Sequence, residues 1–205
     1  MRKGEQTKEY LVACAERIFA QRGYHETQIA DIVNRAHVAK GTIYQYFQNK
    51  EDIFLTLIKK YFDEWEEAVQ LILTDFSGDH SPAYYAQQYL VHRIRHTFDF
   101  FNENNDRCRI ILRMSLGINP FIESLLSMYE EKITSIIVSD IKLGQKWGNI
   151  DNVINPDIAG SFIMGAVLRT AYLFFINRKR IPSVYDLETL VDDTTNLICN
   201  TLKMG

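Results

Sequence analysis

The chain is 205 residues long, 46% hydrophobic and 24% charged, with a formal net charge of −3. These proportions fit one well-cored globular domain, or a small module joined to a larger one. Four prolines and ten glycines are too few for collagen-like, linker-rich or disordered classes.

Three widely spaced cysteines, Cys14, Cys108 and Cys199, form no C-x-x-C pair. That argues against a disulfide framework or a Cys-based zinc site and for a reducing, cytoplasmic compartment; the charged N-terminus lacks an apolar signal core.

In chain order, Leu11, Ala15, Ile18 and Phe19 follow helical spacing, and Gly23 is a natural residue to end that helix. Thr27 offers an N-cap for a short second helix with Ile29, Ile32 and Val33. Ala36-His37-Val38 interrupts, and a third short helix runs from Lys40 to Phe47 with Ile43 and Phe47 inward. Lys50 opens a longer helix through Phe54, Leu57, Tyr61, Trp65 and Val69 to Leu73. Beyond the Ser77–Pro82 loop, where Ser81 offers a cap, helices are predicted over about 82–102, 107–116, 120–146, 156–177 and 184–203. No window alternates with period two, so the fold class is all-α, with about nine helices. Ile158 to Ile176 is apolar and long enough to span a bilayer, but Arg169 near its middle is costly in lipid. A helix buried in a core or a subunit interface, with no membrane involved, is the better reading.

Residues 1–50 carry eight Lys/Arg against five Asp/Glu, while the remainder is acidic. An anionic partner therefore meets the N-terminal part. Residues 27–47 read as two short helices joined by a tight break, the layout of a helix-turn-helix. Its second helix presents Ala39, Lys40, Gly41, Thr42, Tyr44, Gln45 and Tyr46: small residues for close approach, a cation, hydroxyls and an amide. Gln45 can pair bidentately with adenine. Lys50 adds a cation at the next helix start.

Arg22-Gly23-Tyr24, Thr27, Ile29-Ala30, Ala36 through Phe47 and Lys50-Glu51-Asp52-Ile53-Phe54 closely resemble the DNA-binding domain of the TetR family of transcriptional repressors, over about residues 8–58. The resemblance implies a homodimer that binds a palindromic double-stranded operator and releases it when a small molecule binds the C-terminal part. It places Thr27, with Gln28 beside it, at a cap and phosphate contact. Ala39, Lys40, Gly41, Thr42, Tyr44, Gln45 and Tyr46 fall at the groove, and Lys50 at the family's phosphate-binding lysine. Two positions depart from the family: His37 stands where the turn usually has glycine, and Ala39 replaces a hydroxyl residue that would cap the recognition helix. The implied domains are a helix-turn-helix domain over 1–50 and a helical ligand-binding and dimerisation domain over 51–205.

For the ligand, a mixed seam of Tyr85, Tyr89, His92, His96 and Asp99 either lines a cavity that orients an apolar or acyl-type effector with an anionic end or is a partly solvated face. Arg93, Arg113 and Arg169 are the candidate cations for that end, with an ion pair within or between subunits as the other reading of Arg169. Phe62, Trp65, Met114, Met128 and Phe162 can shape an apolar cavity, though such residues also build ordinary cores. Gly160 and Gly165, with Tyr172, Leu190 and Leu197 on the last two helices, form the candidate dimer interface. Alternatives are metal sensing through His92 and His96, or redox sensing through Cys108 between Arg107 and Arg109. An enzyme has no support in any nucleophile elbow, phosphate loop or H-E-x-x-H motif, and no cofactor is implied. A helical adaptor without DNA binding is the remaining alternative.

Overall fold

The computed structural model describes residues 3–69, 82–113, 120–177 and 185–204. Its helices are α1 (Lys3–Glu26), α2 (Ile29–Ala36), α3 (Lys40–Ile43), α4 (Lys50–Val69), α5 (Pro82–Asn102), α6 (Asn105–Arg113), α7 (Pro120–Lys146), α8 (Pro156–Ala171) and α9 (Leu187–Leu202). No strand occurs among the described residues, so the all-α reading holds. The predicted loop from Ser77 with its Ser81 cap, the Gly117–Asn119 junction, the last turn of the fourth helix and the Ile181-Pro182-Ser183 linker lie outside the described residues.

The chain divides into two compact units, Met1–Glu64 with Asn104–Leu126, and Trp65–Glu103 with Ser127–Gly205. A cut at residue 50 marks the DNA-binding segment expected from sequence; packing carries the first unit through most of α4 and adds α6, which packs on α1.

In the first unit α1 buries Leu11, Ala15 and Phe19, α2 buries Ile32 and Val33, and α3 buries Ile43. Phe54 of α4 closes this core, its ring 5.1 Å from that of Phe19 and 4.9 Å from that of Tyr24. Gly23 breaks α1 with a left-handed φ of 79°, as its position predicts. His37 ends α2 with φ 52°, the conformation the family's glycine would supply. Thr27 does not cap α2. Gln28 holds that position, and its backbone N–H donates to Asp31 Oδ2 at 2.9 Å, the return half of a capping box. Thr27 is buried instead and its hydroxyl donates to the Gly23 carbonyl at 2.6 Å, fastening the α1–α2 junction.

In the second unit α5 packs along α9 and also meets α8. Ile94, Phe98 and Phe101 of α5, Ile163 and Val167 of α8, and Leu190, Val191 and Ile198 of α9 form its core. Asn155 caps α8 and Asp186 caps α9. The end of α8 widens into one π turn, Tyr172–Ile176, closed by Asn177 N–H donating to the Tyr172 carbonyl at 3.0 Å. In this turn Phe174 is buried and Phe175 lies beside the rings of both Phe98 and Phe101.

Candidate nucleic-acid interface and effector site

α3 is shorter than its spacing predicts. After Ile43 the backbone continues as a tightened turn, with Gln45 N–H on the Thr42 carbonyl at 3.3 Å and Tyr46 N–H on the Ile43 carbonyl at 3.1 Å. Ile43 and Phe47 anchor it to the core, leaving Ala39, Lys40, Gly41, Tyr44 and Gln45 exposed, with Tyr44 at 50%. Ala39 supplies no side-chain cap, as its composition implies. A Cβ on Gly41 would meet nothing within 4 Å, so no packing among the described residues requires glycine there. Gln28 is exposed at the start of α2, Thr42 is half-buried, and Tyr46 is half-buried with its hydroxyl 3.9 Å from where a Cβ on Gly4 would stand.

Two residues assigned to phosphate by resemblance are otherwise engaged. Thr27 is buried, as described above. Lys50 Nζ donates to the carbonyls of Tyr24 (2.7 Å), His25 (3.2 Å) and Thr27 (2.8 Å), and lies 4.4 Å from the centre of the Tyr24 ring. An ammonium has three N–H donors, and this site uses all of them. Burial holds the Lys50 pKa below the ordinary lysine value.

In the second unit Tyr89 and Arg93, named separately as effector candidates, lie together, joined by a group that the sequence reading did not single out. Tyr89 Oη donates to Asp140 Oδ1 of α7 at 3.0 Å, and Arg93 Nε donates to Tyr89 Oη at 3.1 Å. Arg93 also donates to the Val69 carbonyl, the last residue of α4, at 3.0 Å. Burial pushes the Asp140 carboxyl above the usual range, against the pull of Arg93. The signal for Asp140 was its place as an acid inside the apolar run Ile136–Ile141 of α7. Trp65 Nε1 donates to Thr97 Oγ1 at 3.2 Å, and the His92 and His96 rings lie 4.2 Å apart. Among the described residues no group of three His, Cys, Asp or Glu side chains could hold a metal ion.

Phe162 and Arg169 do not join that cluster. Both lie on the exposed face of α8, where Phe162 is 60% exposed and the Arg169 guanidinium lies 5.2 Å from the Tyr172 ring centre. Phe62 is buried in the first unit, and Met114 lies outside the described residues. Cys108 is fully buried in α6, which removes the solvent access that a redox-sensing thiol requires.

Of the candidate interface residues, Gly165, Tyr172 and Leu197 are exposed or half-exposed, and Leu197 is 68% exposed. Gly160 and Leu190 face inward instead. Leu190 is core, and a Cβ on Gly160 would come within 2.7 Å of Val138 Cγ2, so the close helix approach predicted for Gly160 is made to α7 of the same chain.

Residues 11–57 match the N-terminal domain model of the bacterial regulatory proteins of the TetR family. The HTH-type transcriptional regulator YhgD of Bacillus subtilis (strain 168) is 30% identical over 188 residues, covering 89% of this chain and 90% of its own. The fatty acid metabolism regulator protein of the same organism is 26% identical over 192 residues, covering 92% and 91%. A crystal structure of the transcriptional regulator FadR from Bacillus subtilis in complex with stearoyl-CoA superposes with a TM-score of 0.73 at 22% identity, over 93% of this chain and 96% of that one. The match to this domain and the likeness to these regulators make the chain a DNA-binding transcriptional regulator. It belongs to the TetR family.

Proposed function

We propose that the protein acts in the cytoplasm as a homodimeric repressor that binds a palindromic operator and releases it on binding a fatty acyl effector. The observation that carries the operator reading is the outward face of α3 and the turn that continues it, where Ala39, Lys40, Gly41, Tyr44 and Gln45 are all exposed while Ile43 and Phe47 hold the other side in the core. Lys40 neutralises a phosphate, Ala39 and Gly41 let the backbone approach the groove, and Tyr44 and Gln45 reach base edges. A second copy covers the exposed apolar face of α8 and α9, placing two heads on successive major grooves.

The acyl effector is supported by the similarity to a fatty acid metabolism regulator and to a fold neighbour crystallised with stearoyl-CoA. Its anionic end engages Arg93, with Tyr89, Trp65, His92 and His96 around it. Drawing Arg93 away from the Val69 carbonyl releases the C-terminal end of α4, whose first residue is Lys50. Movement of α4 then changes the spacing of the heads. By linkage, operator weakens effector binding by the same factor that effector weakens operator binding.

The test is selection of DNA from a random pool by the purified protein, followed by titration of the bound complex with stearoyl-CoA and, separately, with CoA. A recovered palindrome released by stearoyl-CoA but not by CoA supports the whole reading. No enriched sequence from folded protein refutes operator binding, and a palindrome indifferent to stearoyl-CoA refutes the acyl effector.

A further inference from the structure

Glu16 sits in the middle of the apolar run of α1 and is buried, yet operator binding gives it no role. Its Oε1 accepts two hydrogen bonds, from Tyr61 Oη of α4 and from Asn104 Nδ2, each at 2.7 Å. The other half of the Asn104 amide is committed to α6. Its Oδ1 accepts from the N–H groups of Asp106 (2.9 Å) and Arg107 (3.1 Å). This pattern fixes which end of the amide is oxygen, since only nitrogen can donate to a carboxylate. One planar group therefore holds the start of α6 with its oxygen and α1 with its nitrogen.

A second contact ties α6 to α4, which carries the other donor to Glu16. Arg107, two residues into α6, donates to Glu64 of α4 at 2.6 Å, and its guanidinium lies 5.4 Å from the centre of the Tyr61 ring. Burial first, and Glu16 second, push the Tyr61 phenol pKa up, so it remains a donor across the physiological range. Hydrogen bonds to a buried carboxylate are costly to break without replacement.

We propose that the Glu16–Asn104 hydrogen bond is a positioning contact through which the start of α6 sets α1, and with it the operator-reading helices; the proposal rests on the operator-binding reading above. α6 follows α5 in the chain, so the contact lies just past the helix that carries Tyr89 and Arg93.

The experiment compares the full chain with Asn104→Asp and with Asn104→Asp combined with Glu16→Gln. It reads amide hydrogen exchange and affinity for the DNA recovered from the random pool. Asn104→Asp keeps an oxygen to cap α6 but removes the donor and sets two carboxylates against each other. Exchange across α1 should quicken by about tenfold, the scale of one lost hydrogen bond to a charged group, while α6 keeps its protection. DNA affinity should fall by a similar factor, with an unchanged salt slope because no phosphate contact is lost. Adding Glu16→Gln swaps donor and acceptor across the pair, the amide nitrogen donating to the new carboxylate at position 104 and, with its second hydrogen, to the Tyr61 hydroxyl oxygen. This should return both readings to within about twofold of the parent.

Unchanged α1 exchange and DNA affinity in Asn104→Asp, or a double variant no better than the single one, overturns the proposal. Should Asn104→Asp fail to fold, the double variant must fold, and its failure overturns the proposal as well. If the parent chain selects no DNA, operator binding falls separately, and α1 exchange still decides whether this contact positions the helix.

Discussion

Lys50 Nζ lies 2.8 Å from the carbonyl oxygen of Thr27, and the same nitrogen reaches the carbonyls of Tyr24 and His25. The lysine that resemblance assigns to phosphate thus closes the junction between the first two helices. Lys50→Met should lower folding stability by about 2 kcal/mol, the scale of charged hydrogen bonds lost from partly buried partners. It should also weaken DNA binding indirectly, through the displaced junction. Urea unfolding reads the first effect. A salt titration reads the second, where the slope of log K against log salt stays at the parent value. A slope reduced by about 1 would assign Lys50 to a phosphate after all.

Lys40 and Gly41 should behave in the opposite way, because both are exposed and no described residue packs where a Cβ on Gly41 would stand. Lys40→Ala should leave stability within about 0.5 kcal/mol of the parent and reduce the salt slope by about 1. Gly41→Ala should stabilise the fold by about 0.5–1 kcal/mol, since glycine is costly in a helix and a Cβ meets nothing there. The same methyl should weaken operator binding if the backbone at residue 41 approaches the groove. A stabilised Gly41→Ala chain with full DNA affinity would remove α3 from the interface.

The helices were legible because their apolar spacing and punctuation are local: Gly23 breaks α1, and the ranges 120–146 and 156–177 fall where the residue types place them. Thr27 was misplaced by one position because its hydroxyl has two local options, capping α2 or returning to the Gly23 carbonyl, and only packing selects the second. Long-range polar contacts were not legible. The Tyr89–Asp140 bond spans 51 residues and the Glu16–Asn104 bond 88, and no periodicity pairs residues so far apart. What the sequence does carry is a weaker sign, an acid inside an apolar run, and both Glu16 and Asp140 show it. Gly160 illustrates the reverse problem: small residues mark close helix approach, but not whether the neighbour is α7 of the same chain or a second subunit.

Asp31 gives a pH dependence of defined sign. The Gln28 N–H first, and Arg22 at 2.7 Å second, hold its carboxyl below the ordinary aspartate value. A depressed folded pKa contributes stability above the unfolded value, about pH 3.9, and loses it as pH falls through the folded one. Asp31→Asn should therefore be less stable than the parent at pH 7, with the gap closing below about pH 4. Urea midpoints at neutral and acid pH check this, and a gap that persists at pH 2 would mean that shape, not charge, matters at this cap.

Ile158, Phe162 and Leu197 are 72%, 60% and 68% exposed in the single chain. Side chains of this size on the outward faces of α8 and α9 contribute little to the subunit's own core, so their removal separates dimerisation from folding. Phe162→Glu should keep the helical circular dichroism and unfold within about 0.5 kcal/mol of the parent. In sedimentation it should run as a monomer, since a carboxylate buried against a second copy has no partner. Loss of the linked second head should then weaken binding to a two-half-site operator by at least about a hundredfold, while single half-site affinity stays near the parent value. A Phe162→Glu chain that remains dimeric and binds the full operator normally would place the subunit contact on another face.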